Sequence, residues 1–398
     1  MNGNMMNGNV EVVVVGGGYG GVTAANRLAR RDGVSVTLVN PRREFVSRIR
    51  LHQLVTGSDD AVEGFGEVLG GNVRLVVDTA TRLDAAERRV SLAGGGTLSY
   101  DYLVYAVGSG AADPGVPGAA EFAHWVSDLE GAQRLRSALD ATPASASVTV
   151  VGAGPTGLET AAELAEAGRK VTLICGDVLG PSLHARVRRP VARRLAKLGV
   201  TVLEGHGARV TAVTQDAVRL DDGRSLPSAV TIWTAGFCVP DLAARSGLRT
   251  DTDGRLLTDA TLTSVDDVRI VAAGDAAVMA DQQFRMSCQA AVQLGPAAAD
   301  TILRRIAGKT PTRVRMFFAG QCLSLGRNEG VTQFSYPNDK VNALSISGRS
   351  GAGVKEIACR FTLNKLVSGA RKASSRASHG DSTDRLAAPQ PEQTPSRT

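Results

Sequence analysis

The stretch VEVVVVGGGYGGVTAANRLARR, residues 10–31, decides the fold. A continuous β-branched run ends in six residues that include five glycines, and a small-residue helical stretch follows. This is the strand–GxGxxG–helix pattern of a dinucleotide-binding unit. The first glycine permits a tight turn, the second lets the backbone approach a pyrophosphate, and the third lets the helix sit close to the strand. The predicted cofactor-binding residues of this loop are Gly16, Gly18, Tyr19, Gly20 and Gly21.

A second copy of the same plan begins near the middle of the chain, in SVTVVGAGPTGLETAAELAEAG, residues 147–168. One GxGxxG is weak support because glycine-rich turns are common, but two copies, each between a Val-rich strand and an Ala-rich helix, are strong support. The predicted cofactor-binding residues of this second loop are Gly152, Gly154, Pro155, Thr156 and Gly157.

The repeat extends beyond the two loops. The next strand reads VTLVN in one copy (36–40) and VTLIC in the other (171–175). Each copy then has a hairpin-like segment, 88–108 or 216–236, that leads into a buried strand and ends at a glycine, Gly108 or Gly236. An internal duplication of one dinucleotide-binding unit explains this pattern.

A third apolar strand, near 268–272, runs into Gly274 and Asp275. With this element the chain resembles the pyridine-nucleotide-dependent flavoprotein superfamily over roughly residues 10–305. The resemblance implies that the first loop holds FAD, that the second holds NAD(P)H, and that Asp275 binds the ribityl chain of FAD. It also implies that Glu159, two residues after Gly157, lies near the nicotinamide, although an acid there also favours the helix dipole.

The expected fold is α/β, with two Rossmann-like three-layer dinucleotide-binding domains, the second inserted in the first, and a small C-terminal α+β domain. The predicted boundaries are a disordered lead (1–9), an FAD-binding domain (10–112 and 237–308), an NAD(P)H-binding domain (113–236), a C-terminal domain (309–372) and a disordered tail (373–398).

An acid usually follows the second strand of such a domain and binds ribose hydroxyls. The two corresponding positions hold Asn40, which can still bond a ribose, and Cys175, which is a poor substitute for a carboxylate. Asp177 is a candidate replacement. These residues do not decide whether NADH or NADPH is the electron donor, and the resemblance favours NADH. The basic stretch 183–198 reads as a solvated helix face, a 2′-phosphate clamp or a dock for an acidic carrier.

Residues 41–54 contain no cysteine, so a redox dithiol of the disulfide-reductase type is excluded there. Arg48, Arg50, His52 and Gln53 of this stretch are expected to line the flavin region, and Arg50 is the predicted cofactor ligand.

Two glutamines, Gln289 and Gln293, stand four residues apart in SCQAAVQLG, residues 287–295, and therefore share a helix face. The stretch is similar to the A-Q-x-A-x-Q-x-G pattern of type II NADH dehydrogenases, with Cys288 at the first alanine. That resemblance places both amides between the flavin edge and a quinone. The alternative is that they bond backbone groups.

Composition excludes several other classes of protein. The net charge of +6 is modest and aromatic residues make up 4%, so nucleic acid is not an expected partner. Scattered cysteines and histidines predict no metal site. The chain lacks a signal peptide and a membrane span, which favours the cytoplasm. The basic apolar stretch 354–372 fits either peripheral membrane contact or core packing. The sequence does not decide whether the chain forms a homodimer.

The sequence is therefore interpreted as an FAD-dependent NAD(P)H oxidoreductase that passes electrons to a quinone-type acceptor. The alternatives are a ferredoxin-type reductase, a tailoring flavoenzyme that acts on a small metabolite, and an NADH-sensing flavoprotein with slow turnover.

Overall fold

The computed structural model describes residues 9–380 except 281 and 283, with backbone alone for 376–380. The first part of the chain contains β1 (Val10–Val15), α1 (Tyr19–Leu28), β2 (Val34–Asn40), β3 (Glu44–Val46), α2 (Leu51–Thr56), β4 (Val62–Gly64), α3 (Phe65–Val68), β5 (Val73–Val77), β6 (Ala80–Asp84), β7 (Arg89–Leu92), β8 (Thr97–Ser99) and β9 (Tyr102–Tyr105). The middle part contains β10 (Gly110–Ala111), α4 (Ala119–Phe122), β11 (Ala123–Trp125), α5 (Leu129–Asp140), β12 (Ser147–Val151), α6 (Pro155–Glu166), β13 (Lys170–Ile174), α7 (Ala185–Lys197), β14 (Thr201–Leu203), β15 (Val210–Val213), β16 (Ala217–Leu220), β17 (Ser225–Pro227), β18 (Val230–Trp233) and β19 (Phe237–Cys238). The last part contains α8 (Leu242–Arg245), β20 (Leu256–Thr258), β21 (Ile270–Ala272), β22 (Ala277–Met279), α9 (Cys288–Ile306), β23 (Gly320–Ser324), β24 (Gly330–Ser335), β25 (Val341–Ser347) and α10 (Gly348–Gly380).

The first main sheet is parallel and has the strand order β21-β9-β1-β2-β5. Its central strand β1 is nearly all valine and is buried from Val12 to Val15, as expected for a strand covered on both faces. Helix α1 packs against α9 at very close range, because a Cβ on Gly295 would lie 2.3 Å from the carbonyl oxygen of Gly20. Gly295 of the glutamine motif therefore has a packing role.

The second main sheet repeats this plan, with the parallel order β11-β18-β12-β13-β14. Each main sheet is accompanied by a three-stranded antiparallel sheet, β6-β7-β8 in the first copy and β15-β16-β17 in the second. The α/β fold expected from the sequence and the repetition of its unit are both present.

The chain leaves the first sheet after β9 and rejoins it at β21, which lies next to β9. All five strands of the second sheet come from the residues between these two strands. The outgoing strand β10 and the returning strand β19 pair with each other in antiparallel fashion. The second unit is thus inserted into the first.

The C-terminal part consists of the antiparallel sheet β23-β24-β25 and the helix α10. The prediction of a disordered tail from 373 is wrong for its first residues, because α10 continues to Gly380. The cause is packing: Ala373 is fully buried near Gly70, and the Ser374 hydroxyl accepts a hydrogen bond from the Gly71 N–H at 2.9 Å. The rest of the predicted tail (381–398) and most of the predicted lead (1–8) lie outside the described residues.

Among residues 9–280, 282 and 284–380, no helix is long and apolar enough to cross a membrane. The same residues contain no cluster of ligands that could hold a metal ion.

Candidate functional site

The first glycine loop connects β1 to α1. Gly16 has a positive φ of +107°, and a Cβ on Gly21 would lie 1.8 Å from the Gly16 carbonyl oxygen, so neither position accepts a side chain without distortion. A Cβ on Gly18 meets nothing within 4 Å. Gly18 is also the N-cap of α1, and no side chain caps this end of the helix. The free N–H groups and the open space above them suit a phosphate.

The two other predicted residues of this loop serve its packing. Tyr19 is buried, its hydroxyl lies 3.0 Å from the Ser47 Oγ, and its ring meets Phe45 edge to face at 5.0 Å. Burial raises the pKa of Tyr19 far above its usual value. A Cβ on Gly20 would lie 3.2 Å from the Gly274 nitrogen, so the loop lies directly against the Gly274–Ala276 turn.

Asn40 ends β2 and holds the glycine loop in place. Its Oδ1 accepts a hydrogen bond from the Gly17 N–H at 3.0 Å, and its Nδ2 donates to the Arg42 carbonyl at 2.9 Å. The predicted ribose contact of Asn40 stays a prediction.

A cavity of about 390 Å³ opens at the carboxyl ends of β1, β2 and β9. Neighbouring connections leave the sheet in opposite directions here, which is where doubly wound sheets bind their ligands. The lining combines residues of both units and includes 16–18, 40–42, 78–80, 107–109, 127–129, Pro240, Leu242 and Arg245. Gly108, at a φ of +73°, is the predicted residue at the end of β9.

Arg48 and Arg50 take opposite directions at this cavity. Arg48 lines it and donates to the Ser109 Oγ at 3.1 Å and the Ser127 carbonyl at 3.0 Å. Arg50 does not line it and instead forms ion pairs with Glu356 at 3.0 Å and Asp59 at 3.2 Å. The two arginines belong to a 3-10 turn, in which residues two apart point in different directions. The structure thus places Arg48 at the cavity, whereas the sequence favoured Arg50 as the cofactor ligand.

Asp275 is positioned by hydrogen bonds from two segments. Its carboxylate accepts from the Ser287 N–H at 2.9 Å and from the Ser109 hydroxyl at 2.7 Å. The preceding Gly274 has a φ of +70°, which favours glycine. The carboxylate therefore stands between the end of β9 and the start of α9, and its side chain is 16% exposed.

The second glycine loop copies the first in detail. Gly152 has a φ of +108°, a Cβ on Gly157 would lie 1.8 Å from the Gly152 carbonyl oxygen, and a Cβ on Gly154 meets nothing within 4 Å. Pro155 and Thr156 open α6, where proline at the first position costs no hydrogen bond. The Thr234 hydroxyl, which sequence reasoning missed, donates to the Val151 carbonyl at 2.9 Å and braces this loop, two residues before Gly236.

The corner next to the second loop contains Cys175 and an exposed ion pair. Burial, helped by the nearby Glu204 carboxylate, raises the pKa of the Cys175 thiol to about 12. Asp177 pairs with Arg209 at 3.5 Å. The basic helix α7 buries three aliphatic residues. Four of its six cations are exposed, namely Arg186, Arg189, Arg193 and Lys197, whereas Arg188 and Arg194 are half-buried.

Glu159 lies in a buried polar cluster to which four segments contribute. Its Oε1 accepts from the Lys355 Nζ at 2.9 Å and from the Ser324 N–H at 2.9 Å, and its Oε2 lies 3.9 Å from the His52 Nδ1. Burial alone would raise the pKa of Glu159, but Lys355, His52 and the Ser324 N–H outweigh it, and the pKa lies below its usual value. Lys355 reads in the sequence as a surface cation, so its role here was missed.

Gln289 and Gln293 face the extended segment that precedes β23. The Gln293 amide donates to the Phe317 carbonyl at 2.8 Å and accepts from the Phe317 N–H at 3.1 Å. The Gln289 amide nitrogen donates to the Gly320 carbonyl at 3.1 Å, and its oxygen accepts from the Ala319 N–H at 3.0 Å. Both amides thus bond the backbone, and their predicted contact with a flavin and an acceptor stays a prediction.

Two parallel sheets with matching glycine loops, and a GD turn that lies against the first of these loops, define an oxidoreductase of the two-dinucleotide class. The pyridine nucleotide-disulphide oxidoreductase family matches residues 10–295. The chain belongs to this family, which confirms the resemblance seen in the sequence. The predicted cofactor pair, FAD with a pyridine nucleotide, is the pair that this family uses.

The chain is similar to two relatives of known sequence and to one solved structure within this class. An NADH dehydrogenase-like protein of Mycobacterium tuberculosis is 32% identical over 344 residues, which cover 79% of this chain and 86% of the relative. The type II NADH:quinone oxidoreductase Ndh of the same organism is 30% identical, over 85% of this chain and 81% of its own. The NDH2 structure from Plasmodium falciparum in complex with NADH has a TM-score of 0.77 at 16% identity, covering 93% of this chain and 98% of its own, and shows the shared fold.

Proposed function

We propose that the protein is an FAD-dependent NADH:quinone oxidoreductase. The observation that carries this proposal is the pair of glycine loops, in which Gly18 and Gly154 both face open space at a helix N-terminus. The first loop adjoins the 390 Å³ cavity, which Arg48 lines, and Asp275, whose Oδ2 lies 4.0 Å from the Arg48 Nη1, is the proposed ligand of the FAD ribityl chain. The second loop, with Pro155 and Thr156, is the proposed nicotinamide nucleotide site.

The bound flavin would supply two-electron hydride chemistry, and the protein residues orient the reactants around it. Arg48 and the N-terminus of α1 offset phosphate charge. Glu159 stays ionised beside Lys355 at neutral pH because its pKa is low. A buried, fixed ion pair of this kind gives the site a defined field at no reorganisation cost.

A quinone is the proposed acceptor because a 30% identical relative is a type II NADH:quinone oxidoreductase. A disulfide is not supported, since residues 41–54 lack cysteine and the five cysteines are free thiols. Gln289 and Gln293 are the proposed acceptor-side residues.

The test is anaerobic stopped-flow reduction of the purified protein, followed at the flavin absorption band at about 450 nm. Fast bleaching with NADH, followed by fast reoxidation with menadione, is the expected result. Gln289→Ala is expected to raise the KM for menadione and to leave bleaching by NADH unchanged.

The rival functions give different outcomes in the same experiment. Bleaching without reoxidation by menadione contradicts the quinone proposal and supports an iron–sulfur carrier or a small metabolite as acceptor. A long-lived reduced complex with a changed sedimentation rate supports an NADH sensor. Protein that purifies without flavin and does not bind it contradicts the whole proposal.

Peripheral contact with the cytoplasmic face of a membrane is proposed for α10. One face of this helix packs on α1, where Leu366 is buried, while Ile357 and Phe361 are 68% and 69% exposed on the other face. Exposed cations flank these two residues, namely Arg349, Arg360, Lys365, Arg371 and Lys372. Adjacent apolar and cationic side chains on one face suit an anionic bilayer, in which a quinone dissolves.

We expect the protein to cosediment with anionic vesicles and much less with neutral ones. Replacing Ile357 and Phe361 together by serine should lower the bound fraction about tenfold or more, because each buried side chain contributes about 1.5–3 kcal/mol. Asn364→Ser, on the same exposed face, is the matched control. Equal binding of the double variant and the natural chain would contradict the proposal.

A further inference from the structure

Two helices, α2 and α6, face each other between the two glycine-loop units and carry polar side chains at successive turns. Helix α2 contributes His52 and Thr56, which are four residues apart. Helix α6 contributes Glu159, Glu163 and Glu166, whose spacing of four and three also places them on one face. The interface therefore contains a series of ionisable groups that runs from the surface to the buried cluster around Glu159.

The inner end of the series is built from Glu159, His52 and Ser324. The His52 Nε2 lies 3.1 Å from the Ser324 Oγ, and its Nδ1 lies 3.9 Å from Glu159. Burial lowers the pKa of His52 to about 4, and the facing cations Lys355, Arg327 and Arg50 offset the opposite effect of Glu159. The imidazole is thus neutral at pH 7, with one N–H and one acceptor nitrogen, as a proton relay requires.

The middle of the series is Glu163, which is only 4% exposed. Its Oε1 accepts from the Ser58 hydroxyl at 2.8 Å and its Oε2 from the Arg327 Nη2 at 2.8 Å. Burial raises the pKa of Glu163, aided by Glu166 and opposed by Arg327 and Ser58. Ser58 itself is exposed, so the buried Glu163 carboxyl is one hydrogen bond from solvent.

The outer end of the series, Glu166, is a clamp. It bonds the Arg194 Nη2 at 2.7 Å and the Arg327 backbone N–H, and no hydrogen bond joins it to Ser58 or Thr56. Glu163 and Glu166 thus hold the same β23–β24 turn, but only Glu163 connects with the serine at the surface.

We propose that the α2–α6 interface is the route by which a solvent proton reaches Glu159, passing from Ser58 to Glu163 and then to the His52–Ser324 pair. This rests on the proposed function. Reduction of a quinone by NADH consumes one proton from solvent, because the hydride carries two electrons and one proton while the quinol gains two of each. Glu163 and Glu159 are one turn apart on α6, about 5–6 Å between Cβ atoms, and His52 and Thr56 have the same spacing on α2. The Thr56 hydroxyl lies 3.4 Å from the Glu163 Oε1, which ties the two helices together beside the route. The step from Glu163 to His52 is proposed to run through a bridging water.

The test compares Glu163→Gln with two controls. Glu163→Asp keeps a carboxyl, and Glu166→Gln removes an ion pair from the same interface. We expect Glu163→Gln to lower turnover with menadione about tenfold or more at alkaline pH, a loss that converts to about 1.4 kcal/mol per factor of ten. Its solvent isotope effect should rise, and added azide, a small weak acid, should restore turnover. Bleaching by NADH should be unchanged, and both controls should keep most of the activity.

A second readout does not depend on turnover. As the pH is lowered, the infrared band of protonated Glu163 should appear before those of the ordinary carboxyls, as a difference between the natural protein and Glu163→Gln. If Glu163→Gln does not fold, Ser58→Ala tests the same route, with weak-acid rescue as its readout.

Equal losses in Glu163→Gln and Glu166→Gln, without rescue by azide, would overturn the proposal and leave the series a domain clamp. If the natural protein bleaches with NADH but never reduces menadione, the proposed acceptor fails instead. The infrared band then still decides whether Glu163 takes up a proton, and its absence from the natural protein would overturn the route.

Discussion

We expect Gly154→Ala to fold as the natural chain does and to bind NADH about tenfold or more weakly. At this position φ is −71°, which any residue adopts, and an added methyl group meets nothing within 4 Å. The protein itself therefore sets no requirement for glycine here. The requirement comes from the nucleotide, whose pyrophosphate must approach the backbone at the start of α6. Titration of the flavin-loaded protein with NADH measures the loss.

Two matched variants make this result specific. Gly157→Ala puts a methyl carbon 1.8 Å from the Gly152 carbonyl oxygen, so it should lower the thermal midpoint, unlike Gly154→Ala. Gly18→Ala, whose φ of −79° and open surroundings match those of Gly154, should weaken FAD binding and leave the apoprotein's thermal midpoint unchanged. Unchanged NADH affinity in Gly154→Ala would remove the second loop from the nucleotide site.

Lys355→Met should lower the free energy of unfolding by about 3–5 kcal/mol, because it leaves a buried carboxylate without its cation. Glu159 and Lys355 expose only 8% and 12% of their side chains, so water replaces little of the lost contact. The double variant Lys355→Met/Glu159→Gln removes both charges and should recover most of the loss. Denaturant unfolding of the three proteins measures both changes, and a loss below about 1 kcal/mol, as for a surface pair, would contradict the account.

The pH dependence gives a sharper form of the same prediction. The folded pKa of Glu159 is lowered, so in the natural chain its contribution is present above the unfolded pKa and is lost as the pH falls through the folded value. Without Lys355, burial dominates and the folded pKa rises, so the variant should gain stability as the pH falls from neutral. The slopes of stability against pH should therefore have opposite signs.

The glycine loops could be predicted from the sequence in detail, because their requirements are local. A turn with positive φ at Gly16 and a close helix–strand contact at Gly21 are both encoded within a few residues. The duplication made the prediction stronger, since the second copy places the same requirements on Gly152 and Gly157.

The cluster around Glu159 could not be predicted, because its members are distant in the sequence. His52, Glu159, Ser324 and Lys355 meet only after three parts of the chain have packed together. Lys355 stands in a basic, helix-compatible stretch, where local pattern favours a solvated cation. Its burial depends on which face of α10 turns inward.

The sequence pattern also could not predict whether Arg48 or Arg50 lines the cavity. Two arginines two residues apart are chemically equivalent, and only the local 3-10 geometry decides which of them reaches the cavity. Likewise, the glutamine spacing showed that Gln289 and Gln293 share a face, but not that a backbone segment would cover it.

The pairing of β10 with β19 has a consequence for how such a molecule can arise. Because the outgoing and returning strands lie side by side, the inserted unit begins and ends at almost the same point in space. The host sheet is not split by the insertion, since β9 and β21 remain hydrogen-bonded neighbours. A duplicated gene segment could therefore be accepted within its own copy at a single surface loop, without either half having to refold around the other.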